Sequence, residues 1–123
     1  MRLFKKILVA VDGSTYAEHA AEYAATLAKK FDSELVLIHA VASPLYTYEG
    51  VVLSPPLEQL EQAGREVLER SRRIVEERGV HAKTRLVIGH PAEEIAKVAN
   101  EEGFDLLVVG SRGLSTVKAW KCF

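Results

Sequence analysis

The sequence predicts an α/β domain built on a doubly wound parallel sheet, and three observations carry that prediction. Four apolar runs, Ile7 to Val11, Leu35 to Val41, Val80 to Ile88 and Leu106 to Val109, alternate with amphipathic stretches in the order βαβαβαβα. Three of the four are continuous rather than alternating, which is the pattern of strands buried on both faces. The intervening segments are long enough for helical crossovers, so the strands run parallel with right-handed connections and helices on both faces. No self-similar repeat at a fixed period accompanies the alternation.

Each element follows from its residues. Ile7 to Val11 is rich in β-branched side chains and ends at Asp12-Gly13-Ser14. Thr15-Tyr16-Ala17-Glu18 has capping-box spacing, and Ser14 or Thr15 serves as the cap of the first helix. Ala17, Ala20, Ala21, Ala24, Ala28 and Phe31 recur at helical spacing, and their small size lets that helix lie close against a sheet. Leu35 to Val41 repeats the strand signal. Residues 42–56 lack helical periodicity and carry Pro44, Gly50, Pro55 and Pro56, so they read as a long loop in which Tyr46 and Tyr48 pack on the domain or cover a ligand.

Leu57, Leu60, Gly64, Val67, Leu68, Ser71, Ile74 and Val75 draw the inner face of a long helix ending near Gly79. Its opposite face, Glu58, Glu61, Arg65, Glu69, Arg72 and Glu76, is charged and solvated. Val80 to Ile88 alternates imperfectly, as a strand nearer the sheet edge does. Gly89-His90-Pro91 opens a shorter helix, with Ile95, Ala96 and Ala99 facing inward and Gly103 as its stop. Leu106 to Val109 is the fourth buried strand. Beyond Gly110-Ser111-Arg112-Gly113, the spacing of Leu114, Val117 and Trp120 suggests one or two turns of helix.

Composition bounds the function. The chain has 123 residues, 48% of them hydrophobic, which is one domain spanning 1–123 and enough for a core without staples. Sixteen Lys and Arg against 17 Asp and Glu give a net charge of -1, which provides no general field for nucleic acid or an anionic membrane surface. No apolar run approaches the ~20 residues of a membrane span. Met1 to Lys6 leads straight into the first strand without a signal peptide's apolar segment, so the expected location is cytoplasmic. Cys122 stands alone, and no Cys/His cluster has zinc spacing.

In open parallel sheets, ligands bind beyond the carboxyl ends of the strands where strand order reverses. The segments leaving those ends are Asp12-Gly13-Ser14, Ala40-Val41, Gly89-His90 and Gly110-Ser111-Arg112-Gly113. The last is the most informative. Its glycines permit close backbone approach or positive φ, Ser111 offers a hydroxyl, and Arg112 offers a charge suited to phosphate oxygens. Asp12 is placed to accept a ribose hydroxyl or to help hold Mg²⁺, but Asp-Gly-Ser is also good turn chemistry, and alone the turn reading prevails. His39, inside the second strand, reads as a satisfied core histidine, and His90 as a helix-entry residue. Nothing pairs these histidines with a nucleophile, and neither a P-loop nor a Gly-x-Gly-x-x-Gly is present.

Together these positions resemble the universal stress protein family. The resemblance rests on Lys5-Lys6-Ile7-Leu8-Val9-Ala10-Val11-Asp12-Gly13-Ser14, Leu37-Ile38-His39-Ala40, Gly89-His90-Pro91-Ala92-Glu93-Glu94-Ile95 and Asp105 through Ser115 in family order. It implies a flavodoxin/Rossmann-like fold of the adenine nucleotide alpha hydrolase type, with strand order 3-2-1-4-5, usually as a homodimer. In one subgroup it implies an ATP site. Adenine would meet backbone at Ala40, while Ala10, Val11 and Asp12 would flank adenine and ribose. Val109, Gly110, Ser111, Arg112 and Gly113 would approach ribose and phosphates.

The family's ATP pattern reads Gly, two residues, Gly, nine residues, Gly, Ser/Thr. Gly110 and Gly113 supply its first part, Leu114 to Cys122 are the nine residues, and Phe123 stands at the third glycine. The expectation is therefore a domain truncated at its C-terminus relative to the family, with the fifth strand absent and the fourth left as an apolar edge. The leading functional expectation is an adenine-nucleotide binding module, with ATP favoured over AMP or ADP and Mg²⁺ as a companion, acting as sensor rather than catalyst. The alternatives are a nucleotide-independent dimeric interaction protein and, last, a weak ATPase or nucleotidyl transferase.

Overall fold

The computed structural model of the chain describes residues 4–41, 46–48, 51–53, 56–110 and 117–121, the three short internal and C-terminal pieces as backbone. Strand β1 (Lys6–Ala10) is followed by α1 (Thr15–Phe31), β2 (Glu34–Val41), a hairpin of β3 (Tyr46–Tyr48) and β4 (Val51–Leu53), and α2 (Leu57–Glu77). Then come β5 (Ala82–Ile88), α3 (Pro91–Glu101), β6 (Leu106–Gly110) and β7 (Val117–Lys121). The main sheet has the order β5-β2-β1-β6-β7. Its first four members are parallel, which is the expected 3-2-1-4 arrangement.

The continuous apolar runs are explained by burial on both faces. Ile7, Leu8 and Val9 are all completely buried. Ile7 and Val9 turn with Leu35 and Leu37 toward α1 and α2, while Leu8, Val36, Ile38 and Leu107 turn toward α3. The alanine stripe of α1 is buried against the first face, and Val98, Ala99 and Phe104 close the second. Ala96, expected inward on α3, is exposed, and Val98 is buried instead, because the inward face is centred on Ile95 and Ala99 and extends to the side of Val98 rather than that of Ala96. Leu57 is likewise 45% exposed, since the inward face of α2 begins only with the half-buried Leu60.

Local chemistry sets the ends of the elements. Ser14, not Thr15, caps α1, its hydroxyl oxygen accepting from Ala17 N–H at 3.1 Å. Glu18 is thereby released from a capping box and pairs with Arg70 of α2 at 3.1 Å. Pro91 opens α3 directly after His90, as expected. Across the sheet, one carboxylate oxygen of Asp105 accepts from Lys5 N–H at 2.8 Å and Lys6 N–H at 3.0 Å. That fork joins the start of β1 to the start of β6.

Two expectations are corrected. The helical turns expected around Leu114, Val117 and Trp120 are replaced, over the part described, by strand β7, which pairs antiparallel with β6 from Leu106↔Lys121 to Gly110↔Val117. The fourth parallel strand is therefore not a bare edge, because an antiparallel strand fills the fifth place in the sheet. The physical reason is that β6 presents a full row of unpaired backbone groups, and a short segment with mixed periodicity lowers its free energy by pairing with them. Within residues 42–56, the loop contains the hairpin β3–β4. No helix among the described residues is long and apolar enough to cross a membrane.

Candidate functional site

A cavity of about 390 Å³ lies at the carboxyl ends of the central strands. Strand β1 contributes Ala10 and, just beyond its end, Val11 and Asp12; β2 contributes His39 and Ala40; β6 contributes Val109 and Gly110. Helix α1 adds Ala17, and the first turn of α3 adds Pro91 and Ile95. Strand β1 lies between β2 and β6, and the chain leaves it in one direction for β2 and α1 and returns on the other side as β6. The cavity thus occupies the point where strand order reverses, the usual ligand position in such sheets. Its volume falls within the range of small-molecule sites.

Six of the residues expected at the site from the sequence line this cavity: Ala10, Val11, Asp12, Ala40, Val109 and Gly110. Ser111, Arg112 and Gly113 lie outside the described residues. Sequence reasoning missed Ala17, His39, Pro91 and Ile95 as lining residues. A signal for the last two existed, because Pro91 and Ile95 stand one turn apart at the start of a helix that follows a strand end.

The geometry around Asp12 is turn geometry. Its Oδ1 accepts from Ser14 N–H at 2.9 Å, so the carboxylate shapes the entry to α1 while lining the cavity. The N-terminus of α1, the positive end of its macrodipole, sits beside the same space through Ala17. Gly110 is a glycine for close backbone approach, the first of the two reasons expected, and the backbone that approaches is the chain's own. A Cβ there would lie 2.5 Å from the carbonyl carbon and oxygen of Tyr16 and 2.8 Å from Ala17 N. The end of β6 therefore presses on the first turn of α1, and the packing leaves no room for a side chain.

His39 is satisfied, as expected, but it is half-buried and borders the cavity rather than lying in the core. Its Nδ1 is 2.7 Å from the carbonyl oxygen of Val11. A carbonyl only accepts, so Nδ1 carries the proton. The ring is backed by α2, where a Cβ on Gly64 would come within 2.9 Å of His39 Cδ2. Among the described residues no group of three His, Cys, Asp or Glu side chains is disposed to hold a metal ion. Asp12 is the carboxylate among the cavity's lining residues.

Fold and cavity together define a doubly wound α/β domain with a ligand-sized hollow at its switch point. A sequence model of the universal stress protein family matches residues 3–120. The chain belongs to that family. It is 36% identical over 125 residues to Universal stress protein YxiE of Bacillus subtilis, covering 94% of this chain and 84% of the relative. A universal stress protein family structure from Burkholderia pseudomallei superimposes with a TM-score of 0.74 at 32% identity, over 89% of this chain and 83% of that one. A family member from Arabidopsis thaliana, solved with AMP bound, gives a TM-score of 0.63 at 26% identity, over 93% of this chain and 81% of that one.

Proposed function

We propose that this protein is an adenine-nucleotide binding module of the stress response, a sensor or regulator rather than a catalyst. The observation that carries the reading is the switch-point cavity, bordered by Ala10 to Asp12, Ala40, Val109 and Gly110. Its walls are apolar where a base would lie, at Val11, Ile95 and Val109, and polar at Asp12, where a ribose would turn. The N-terminus of α1 favours an anion beside it. The AMP held by the Arabidopsis thaliana relative supports the same ligand class.

Within this reading ATP is the favoured ligand, and the family resemblance assigns Gly110, Ser111, Arg112 and Gly113 to its ribose and phosphates. Magnesium would take most of its ligands from phosphate oxygens and water, with Asp12 as the protein carboxylate at hand. The working form is a cytoplasmic homodimer, and β7, last in the strand order, offers its outer edge for pairing with a second copy. Titration calorimetry with ATP and with AMP, with and without Mg²⁺, tests the reading. Saturable binding at micromolar to millimolar ligand is expected, and no heat of binding at millimolar nucleotide overturns it. Light scattering at high protein concentration tests the dimer, and a clean monomer overturns that part.

A further inference from the structure

The parallel ladder between β1 and β2 ends at Ala10↔Ile38 although β2 runs on to Val41, and a side chain holds the carbonyl that the next rung would use. In a parallel pair, the N–H and C=O of one residue project to the same neighbour, and the side alternates along the strand. Ile38 O accepts from Val11 N–H at 2.9 Å, so residues 38 and 40 face β1. Val41 O accepts from Gly89 N–H at 3.0 Å, so 39 and 41 face β5. The next rung would send Ala40 N–H to Val11 O. The β1–β2 register instead ends at Ala10↔Ile38, and Val11 O takes the Nδ1–H of His39 at 2.7 Å.

We propose that His39 is a positioning residue for base recognition: by occupying the Val11 carbonyl, it leaves the N–H and C=O of Ala40 facing the cavity as an adjacent donor and acceptor. Such a pair matches a purine edge that offers a ring nitrogen acceptor beside an exocyclic amine donor. The functional half of this proposal rests on the adenine-nucleotide reading. The structural half stands on the ladder alone. Gly64 has a part in both, because its missing side chain lets α2 hold the imidazole in place. Ala40, half-buried and lining the cavity, carries only a methyl group, too small to cover its own backbone pair.

The test begins with the unliganded parent protein. Amide hydrogen exchange should show Ala40 exchanging at least about tenfold faster than Ile38, whose N–H lies within the ladder. Imidazole nitrogen NMR should show His39 protonated at Nδ1. Comparable protection of Ala40 and Ile38, or a neutral His39 protonated only at Nε2, overturns the proposal before any variant is made. In His39→Leu the freed Val11 carbonyl should capture Ala40 N–H, raising Ala40 protection and weakening AMP binding about tenfold. His39→Asn, which keeps an N–H donor near the Nδ1 position, should retain parental behaviour in both measurements. AMP binding unchanged in His39→Leu while Ala40 becomes protected overturns the recognition role. A parent protein that binds no AMP overturns the nucleotide reading and the recognition role with it, while the exchange data still decide whether His39 ends the ladder.

Discussion

Replacing Gly110 with alanine tests the tightest contact beside the cavity. The added Cβ would stand 2.5 Å from the Tyr16 carbonyl carbon and oxygen. Unstrained carbon contacts lie at ~3.5 Å or more, so about 1 Å of separation has to be found. The neighbour is backbone in the first turn of a capped helix, and it cannot swing aside as a long side chain does. Overpacking of this kind costs about 1–3 kcal/mol, and the rigid neighbour puts Gly110→Ala near 3. With an unfolding entropy of ~2.1 cal/mol/K per residue, each kcal/mol moves the Tm of a 123-residue domain by about 4 °C, so the expected fall is about 12 °C.

Calorimetry gives the Tm, and urea unfolding with an unchanged m-value confirms that the folded state is what suffers. Gly103 is the control, because it has a φ of +68° and no atom within 4 Å of the place a Cβ would take. Gly103→Ala should cost only about 1 kcal/mol, from left-handed backbone, and Gly103→Asn should recover most of it. Asn at 110 should recover nothing, since space rather than φ is limiting there. A Tm for Gly110→Ala within about 2 °C of the parent, or a larger loss at Gly103, refutes the reasoning.

Three further outcomes are expected. Ser14→Ala removes the oxygen that accepts from Ala17 N–H and should cost about 1 kcal/mol in urea unfolding, with Ser14→Asp restoring it. The Lys83 ammonium, hydrogen-bonded to Glu34 at 2.7 Å, holds that carboxyl below its ordinary pKa against a smaller opposing effect of burial. A depressed folded-state pKa adds stability above the unfolded value and loses it as pH falls through the folded one. Lys83→Gln should therefore bring the Glu34 NMR midpoint back toward the ordinary carboxylate range, and its small stability deficit at pH 7 should vanish in acid. Gly64→Ala places a Cβ 2.8 Å from Leu86 Cδ1 and 2.9 Å from His39 Cδ2, both side-chain atoms that can shift. It should lower Tm less than Gly110→Ala while weakening AMP binding as His39 is displaced, read by calorimetry on one sample.

Most of the fold is legible in the sequence because burial on both faces writes itself as uninterrupted apolar runs. Ile7 to Val11 and Leu35 to Val41 need no tertiary information to be placed as inner strands. β7 does not have that advantage. Leu114, Val117 and Trp120 stand three apart, which suits a helix, and only the open side of β6 selects the extended form for Val117–Lys121. The hairpin β3–β4 leaves a trace that the prolines mask: two β-prone triplets separated by two residues, the second of them Gly50. At the cavity, the strand-end residues are predictable from topology alone. His39 is not, since a histidine in a buried strand looks the same from sequence whether it fills space or holds a carbonyl. Gly110 stands in the place that topology predicts and serves the close approach that glycine permits, but that Tyr16 supplies the approaching backbone is a property of the packed molecule.

The Asp105 fork, which binds Lys5 and Lys6 N–H from a hundred residues away, bears on how the chain matures on the ribosome. By the time Val41 has been made, β1 can pair with β2 on one side. Its other side waits for Leu106 to Gly110, a further 65 or so residues, or about 3–13 s at ordinary rates of synthesis. During that interval the middle strand of the finished sheet, apolar from Ile7 to Ala10, has an open edge in the nascent chain. The release of Asp105 from the exit tunnel is then the event that clamps the sheet shut, and a chaperone that shields Ile7 to Val9 until that moment would protect the chain at its most aggregation-prone stage.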